Sequence, residues 1–122
     1  MKIFFDGGCR PNPGMMEIAV VAGGRVHVRR DLGHGARVDA EWLALIEALR
    51  IARSLALDDI LLLGDAADII GQANGTIRCR GAGLAHLPVF QAMVPDTGRL
   101  RIRHVKRTQN LAGIALARLH PR

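Results

Sequence analysis

Two apolar runs, Ile3-Phe4-Phe5 and Ile60-Leu61-Leu62-Leu63, each close at or beside a carboxylate, Asp6 and Asp65. A carboxylate next to a buried strand is costly unless something pairs with it, so a chain that ends two strands this way must bring those ends out of its core. An open α/β sheet does so, because its parallel strands finish in a crevice where ligands and metals collect. A third acid, Glu41, precedes Leu45, Ala48, Leu49, Ala52 and Leu55, which recur at helical spacing and form one apolar stripe. Glu41 lies one turn before Leu45 on that stripe, which turns it toward the sheet. A second role stands beside the first, since an acid in the opening turn also favours the positive end of the helix dipole.

The remaining pattern sets the order of elements. Strands are expected over 2–6, 17–22, 26–30, 60–63 and 100–105, and helices over 40–55, 66–73, 84–93 and 112–119, with Asp39 as N-cap of the first helix. Residues 7–14, with three glycines and two prolines, are expected to form a turn, and residues 32–38 a Gly-rich loop. Gly23-Gly24 signals a two-residue hairpin because both positions can take positive φ. Val26 and Val28 alternate with His27, Arg29 and Arg30, so one face of the third strand is expected to be wet. The order β-β-β-α-β-α-α-β-α, antiparallel in front with crossovers behind, predicts an α/β fold with a mixed five-stranded sheet flanked by helices. A length of 122 residues suits a single domain over 1–122.

Composition narrows the partner. The formal charge is +6 with a pI near 10.9, and only Lys2 and Lys106 are lysines. Arginine's planar fork matches phosphate, so a polyanion is the expected partner. Aromatic residues are 3% with no tyrosine, which leaves little to stack unpaired bases and favours contact with a backbone over single-strand readout. No apolar run approaches the roughly 20 residues a membrane span needs, and no basic-then-apolar leader opens the chain, so a cytoplasmic protein is expected. Cys9 and Cys79 form no C-x-x-C pair and are expected to be reduced and to serve as small residues.

The segment Phe5-Asp6-Gly7-Gly8-Cys9-Arg10-Pro11-Asn12-Pro13-Gly14 resembles the opening of type 1 ribonucleases H. Ala40-Glu41-Trp42-Leu43, Leu63-Gly64-Asp65 and the stretch from Val105 to Ala117 resemble that family's other three motifs, in order and on the expected elements. The resemblance implies a ribonuclease H-like fold and hydrolysis of the RNA strand of RNA/DNA hybrids, with double-stranded RNA as a second candidate. It also implies two divalent ions, Mg²⁺ or Mn²⁺, held roughly 3.5 to 4 Å apart to activate a water and stabilise the leaving oxygen. Asp6 would bridge both ions, and Glu41 and Asp65 would hold the one on the leaving-group side. The fourth family carboxylate falls on Gly113, which has no side chain; Asn110 and Asp68 are candidate substitutes, against favoured roles as a cap or brace of the last helix and as a solvent-facing charge.

Nucleic-acid contacts are expected at Gly8, Cys9, Arg10, Asn12, Arg78, Arg80, Arg107 and Asn110, with Arg101 and Arg103 adding phosphate contacts from the last strand. Two functions follow: a metal-dependent endonuclease, whether fully active or impaired, or a weakly active or inactive nucleic-acid-binding module on the same fold. A proofreading exonuclease would place a second acid two residues after Asp6, where this chain has Gly8. A dinucleotide-binding reading fails as well, because Gly7-Gly8 is not the phosphate-cradling pattern.

Overall fold

In the first strand, β1 (Lys2–Cys9), Ile3, Phe5 and Cys9 are buried while Phe4 and Asp6 alternate with them, half-buried, toward the other face. The computed structural model describes residues 1–120, and the last two residues of the expected 1–122 unit lie outside the described residues. β1 runs three residues past its expected end, pairing antiparallel with β2 (Gly14–Ala22) from Ile3↔Ala22 to Cys9↔Met16. The expected turn over 7–14 therefore shrinks to its centre. Gly7 serves close packing instead: a Cβ there would stand 2.1 Å from the Ala40 carbonyl oxygen. Asp6 is thus within a strand and not at its end.

The crevice opens at Asp6 nonetheless. The parallel neighbour β5 (Asp59–Gly64) pairs with β1 only as far as Phe4↔Leu63, so Asp6 lies beyond the last parallel rung and Asp65 directly follows β5. β6 (Arg99–His104) continues the sheet parallel to β5.

Gly23 and Gly24, at φ of 57° and 78°, make the expected hairpin into β3 (Arg25–Arg29). Its valines are not covered as the alternation implied. Val26 and Val28 are 56% and 38% exposed, because β3 is an edge strand and the short helix α4 (Leu111–Ala117) packs chiefly over β1 and β2. Within the expected loop, His34–Gly35 forms β4, which pairs with Met15 and Gly14. The sheet has six strands, five of them in the order β3-β2-β1-β5-β6 with β4 off that path. The mixed five-stranded arrangement expected from the sequence is that path.

Helix α1 (Arg37–Ser54) begins before its expected start, with Ala36 as N-cap in place of Asp39. Asp39 sits in the first turn, where its carboxylate accepts the Ala36 N–H at 3.3 Å and meets His86 Nε2 at 3.0 Å. Leu55 caps the C-terminus at 49% exposure and so lies outside the stripe assigned to it. Helices α2 (Ala67–Asn74) and α3 (Gly83–Met93), like β6 and α4, start within one residue of expectation.

The larger core, built on Ile3, Phe5, Ile18, Val20, Trp42, Leu45, Leu49, Leu62 and Phe90, lies between the sheet and α1 to α3. A smaller one, Ala19, Val21, Ala112 and Leu116, lies under α4 on the opposite face. Among the described residues no helix is long and apolar enough to cross a membrane.

Candidate active site

Asp6 from β1 and Asp65 from the end of β5 line a cleft of about 360 Å³ with Arg10, Asn12, Glu17, Arg37, Arg107 and Gly113. Glu41, in the second turn of α1, meets both aspartates around a smaller indentation floored by Phe5, Gly7 and Ala66. The three acids expected from the sequence are thus brought to one place. Gly7 is what lets the start of α1, and with it Glu41, approach β1 so closely.

The charges act on one another. Burial first, then Asp65 and Glu41, raise the Asp6 carboxyl from 3.8 to about 7 against the opposing pull of Arg37 and Arg107. Glu41 is also raised, chiefly by burial, with Arg37 opposing and Asp65 reinforcing the shift. Like charges that raise each other's pKa are short of positive charge.

The donors are hard oxygens of the kind that hold Mg²⁺ and Mn²⁺. As the side chains stand, no group of three or more His, Cys, Asp or Glu among the described residues is arranged to hold a metal ion. Arg107 reaches into the gap, its Nε donating to Asp65 Oδ2 at 3.4 Å. That arginine is 73% exposed, so releasing it costs only a surface ion pair, about 0 to 1 kcal/mol. The residues present fit a divalent cation in donor type and in charge.

Other expected residues divide between the cleft and elsewhere. Arg10, Asn12 and Arg107 line it, as do Gly8 and Cys9, although Cys9 is 9% exposed and its thiol donates to Asn12 Oδ1 at 3.4 Å. Asn12 Oδ1 also accepts the Arg37 N–H at 3.0 Å, tying the turn after β1 to the start of α1.

Asn110 is 0% exposed and its amide is engaged inside the fold, so the nucleic-acid contact expected of it is not available. Its Nδ2 donates to the Phe5 carbonyl at 3.0 Å and to Asp65 Oδ1 at 3.4 Å, while Oδ1 caps α4 by accepting the Ala112 N–H. It braces Asp65 and is not a substitute ligand. Asp68 faces outward, holding Arg80 at 2.9 Å and Gln72 at 3.0 Å, so neither Asp68 nor Arg80 is directed into the cleft. Arg78 is exposed but does not line it. On β6, Arg101 is half-buried and paired with Asp59 at 3.0 Å, whereas Arg103 is exposed.

At Gly113 a Cβ would point toward Asp6, 3.5 Å from its Oδ2, while the next residue, Ile114, is 38% exposed and does not line the cleft. Two charged cleft residues escape the sequence reading. Arg37 is hidden by the misplaced helix start. Glu17 carries a legible signal, an acid on the Glu17-Ala19-Val21 face of a strand whose other face, Ile18 and Val20, is apolar.

The architecture is that of ribonuclease H-like proteins. The family described as reverse transcriptase-like matches residues 5–120, and the chain belongs to that family. Among solved structures it is similar to RNase H1 from the halophilic archaeon Halobacterium salinarum NRC-1, at 27% identity and a TM-score of 0.83, covering 94% of this chain and 92% of that one. It is similar in fold to the N-terminal RNase H domain of rv2228c from Mycobacterium tuberculosis, solved as a fusion with maltose-binding protein, at 24% identity, TM-score 0.78, and 94% and 93% coverage. A third fold match, LC11-RNase H1 in complex with RNA/DNA hybrid, has 24% identity, TM-score 0.80, and 94% and 91% coverage. No curated protein matches the chain.

Proposed function

We propose that the chain, acting as one ribonuclease H-like domain, hydrolyses the RNA strand of RNA/DNA hybrids with Mg²⁺ or Mn²⁺ held by Asp6, Glu41 and Asp65. The observation that carries this reading is the convergence of those three acids on one crevice, with Asp6 driven to about 7 by burial and by the other two. When bound, the ions supply an activated water and stabilise the leaving oxygen.

The protein's own part is positional. Asn110 fixes Asp65 through its Nδ2 and anchors that corner to the Phe5 carbonyl. Arg10, Arg37 and Arg107 rim the cleft with positive charge suited to the phosphates on either side of the scissile bond. Membership in the reverse transcriptase-like family and the likeness to the Halobacterium RNase H1 support the reaction class.

A second reading, a binding module with little hydrolytic activity, draws on Gly113, because α4 offers no carboxylate at the position whose Cβ would stand 3.5 Å from Asp6 Oδ2. Incubating a labelled RNA/DNA hybrid with Mg²⁺ and then Mn²⁺, beside a binding measurement on the same duplex, separates them. Divalent-dependent cleavage confined to the RNA strand is expected. Tight binding without cleavage in either metal supports the second reading.

A further inference from the structure

Glu17 sits in β2 between buried Met16 and Ile18 and is itself only 6% exposed. Its cross-strand partner is Gly8, while Ala19 faces Asp6. Cross-strand partners share a face and alternate residues return to it, so Glu17 and Asp6 both face the α4 side of the sheet. They are diagonal neighbours, on the order of 7 to 8 Å apart at the α-carbons. Both line the same cleft, together with Gly113, Leu116 and Ala117 of α4. Position 113 of that helix carries no side chain, so α4 sets no carboxylate beside Asp6.

The surroundings of Glu17 hold it without using it up. His120 Nε2 meets Oε1, and the Arg30 guanidinium pairs with the carboxylate, its Nε 3.3 Å from Oε2. A carboxylate offers about four lone-pair directions, so two remain free. His120 and Arg30 line a second pocket that Glu17 and Arg10 share with the cleft and that Asp6 does not line. A residue needed only to fasten the end of the chain to β2 would gain nothing from also lining the cleft.

We propose that Glu17 supplies the fourth carboxylate of the cleft, from β2 in place of α4, and that His120 and Arg30 are positioning residues that orient it. The inference rests on reading the cleft as a divalent-cation site. It makes Gly113 a relocation of charge and not simply a loss.

Mn²⁺ titration calorimetry on the full chain, paired with melting curves in EDTA, tests it. Glu17→Gln is expected to weaken Mn²⁺ binding at least tenfold. Gly113→Asp is expected to change it less than threefold in the parent, yet to recover most of the loss in the Glu17→Gln background. Such non-additivity is the signature of two side chains serving one position. A gain of tenfold or more from Gly113→Asp in the parent overturns the proposal, because the fourth position was then vacant; this holds even if Glu17→Gln does not fold. So does a Glu17→Gln variant that melts earlier in EDTA but titrates like the parent, which makes Glu17 a structural tie. Asp6→Asn separates the two levels of argument. If Asp6→Asn abolishes binding and Glu17→Gln does not weaken it, only the Glu17 assignment falls; if Asp6→Asn also binds like the parent, the cation site itself falls.

Discussion

Asp6 concentrates the electrostatic cost of the site. In the unfolded chain it ionises near 3.8, but in the fold not until about 7, so the native state holds a proton that the unfolded state has lost. A raised carboxyl pKa contributes stability that is fully present below the unfolded value and is lost as pH rises through the folded one. In chelator, the parent should therefore lose stability relative to Asp6→Asn between about pH 4 and 7, the gap levelling above 7 at about 2 to 4 kcal/mol. Denaturant melts at pH 4, 6 and 8 check this; a constant gap across that range would show that Asp6 is not the group that titrates. The same substitution should abolish divalent-ion binding at the cleft, whereas Asp68→Asn, whose carboxylate is turned to Arg80 and Gln72, should leave it intact. Equal effects in calorimetry would mean that the ion sits elsewhere.

Elements place these residues through a close approach at a single glycine. With a Cβ at position 7 only 2.1 Å from the Ala40 carbonyl oxygen, Gly7→Ala must drive α1 away from β1. Overpacking of this kind costs about 1 to 3 kcal/mol. The shift also carries Glu41 away from Asp6, so Mn²⁺ affinity should fall along with the melting temperature. A variant that melts early yet binds Mn²⁺ like the parent would show that the start of α1 does not set the site.

The same glycine explains what the sequence could and could not convey. Gly23-Gly24 and Gly7-Gly8 read alike as turn signals, yet the first pair turns the chain at positive φ and the second continues a strand beneath a helix. Glycine serves both needs, and only the packed partner distinguishes them. Asp39 was misread for a related reason: an acid satisfies free N–H groups from the cap or from the first turn, and the sequence does not say which. The three acids were legible because each interrupts an apolar pattern. Arg37 was not, since it depends on a helix boundary, and Val26 and Val28 were not, since their cover depends on how far α4 reaches.

Across the whole molecule, the net charge of +6 is distributed unevenly. Arg29, Arg30, Arg50, Arg80 and Arg101 are paired with acids outside the two aspartates of the cleft, while Arg10 and Arg37 stand exposed at its rim. Of the aromatic residues, Phe5, Trp42 and Phe90 are buried and Phe4 is half-buried, so no exposed ring is available to stack a base. A hybrid should therefore be gripped through its phosphates, with affinity that varies little with base sequence. If about three phosphates are neutralised, binding should weaken roughly 40-fold between 50 and 200 mM salt. Removing one rim charge, as in Arg10→Ala, should lower the slope of log affinity against log salt by about one, whereas Arg50→Ala, at a paired position outside the cleft, should leave it unchanged. Equal slopes for parent and Arg10→Ala would move the phosphate track off this rim. A flat salt response in the parent would remove the backbone-reading account altogether, because phosphate contacts release counterions and must weaken with salt.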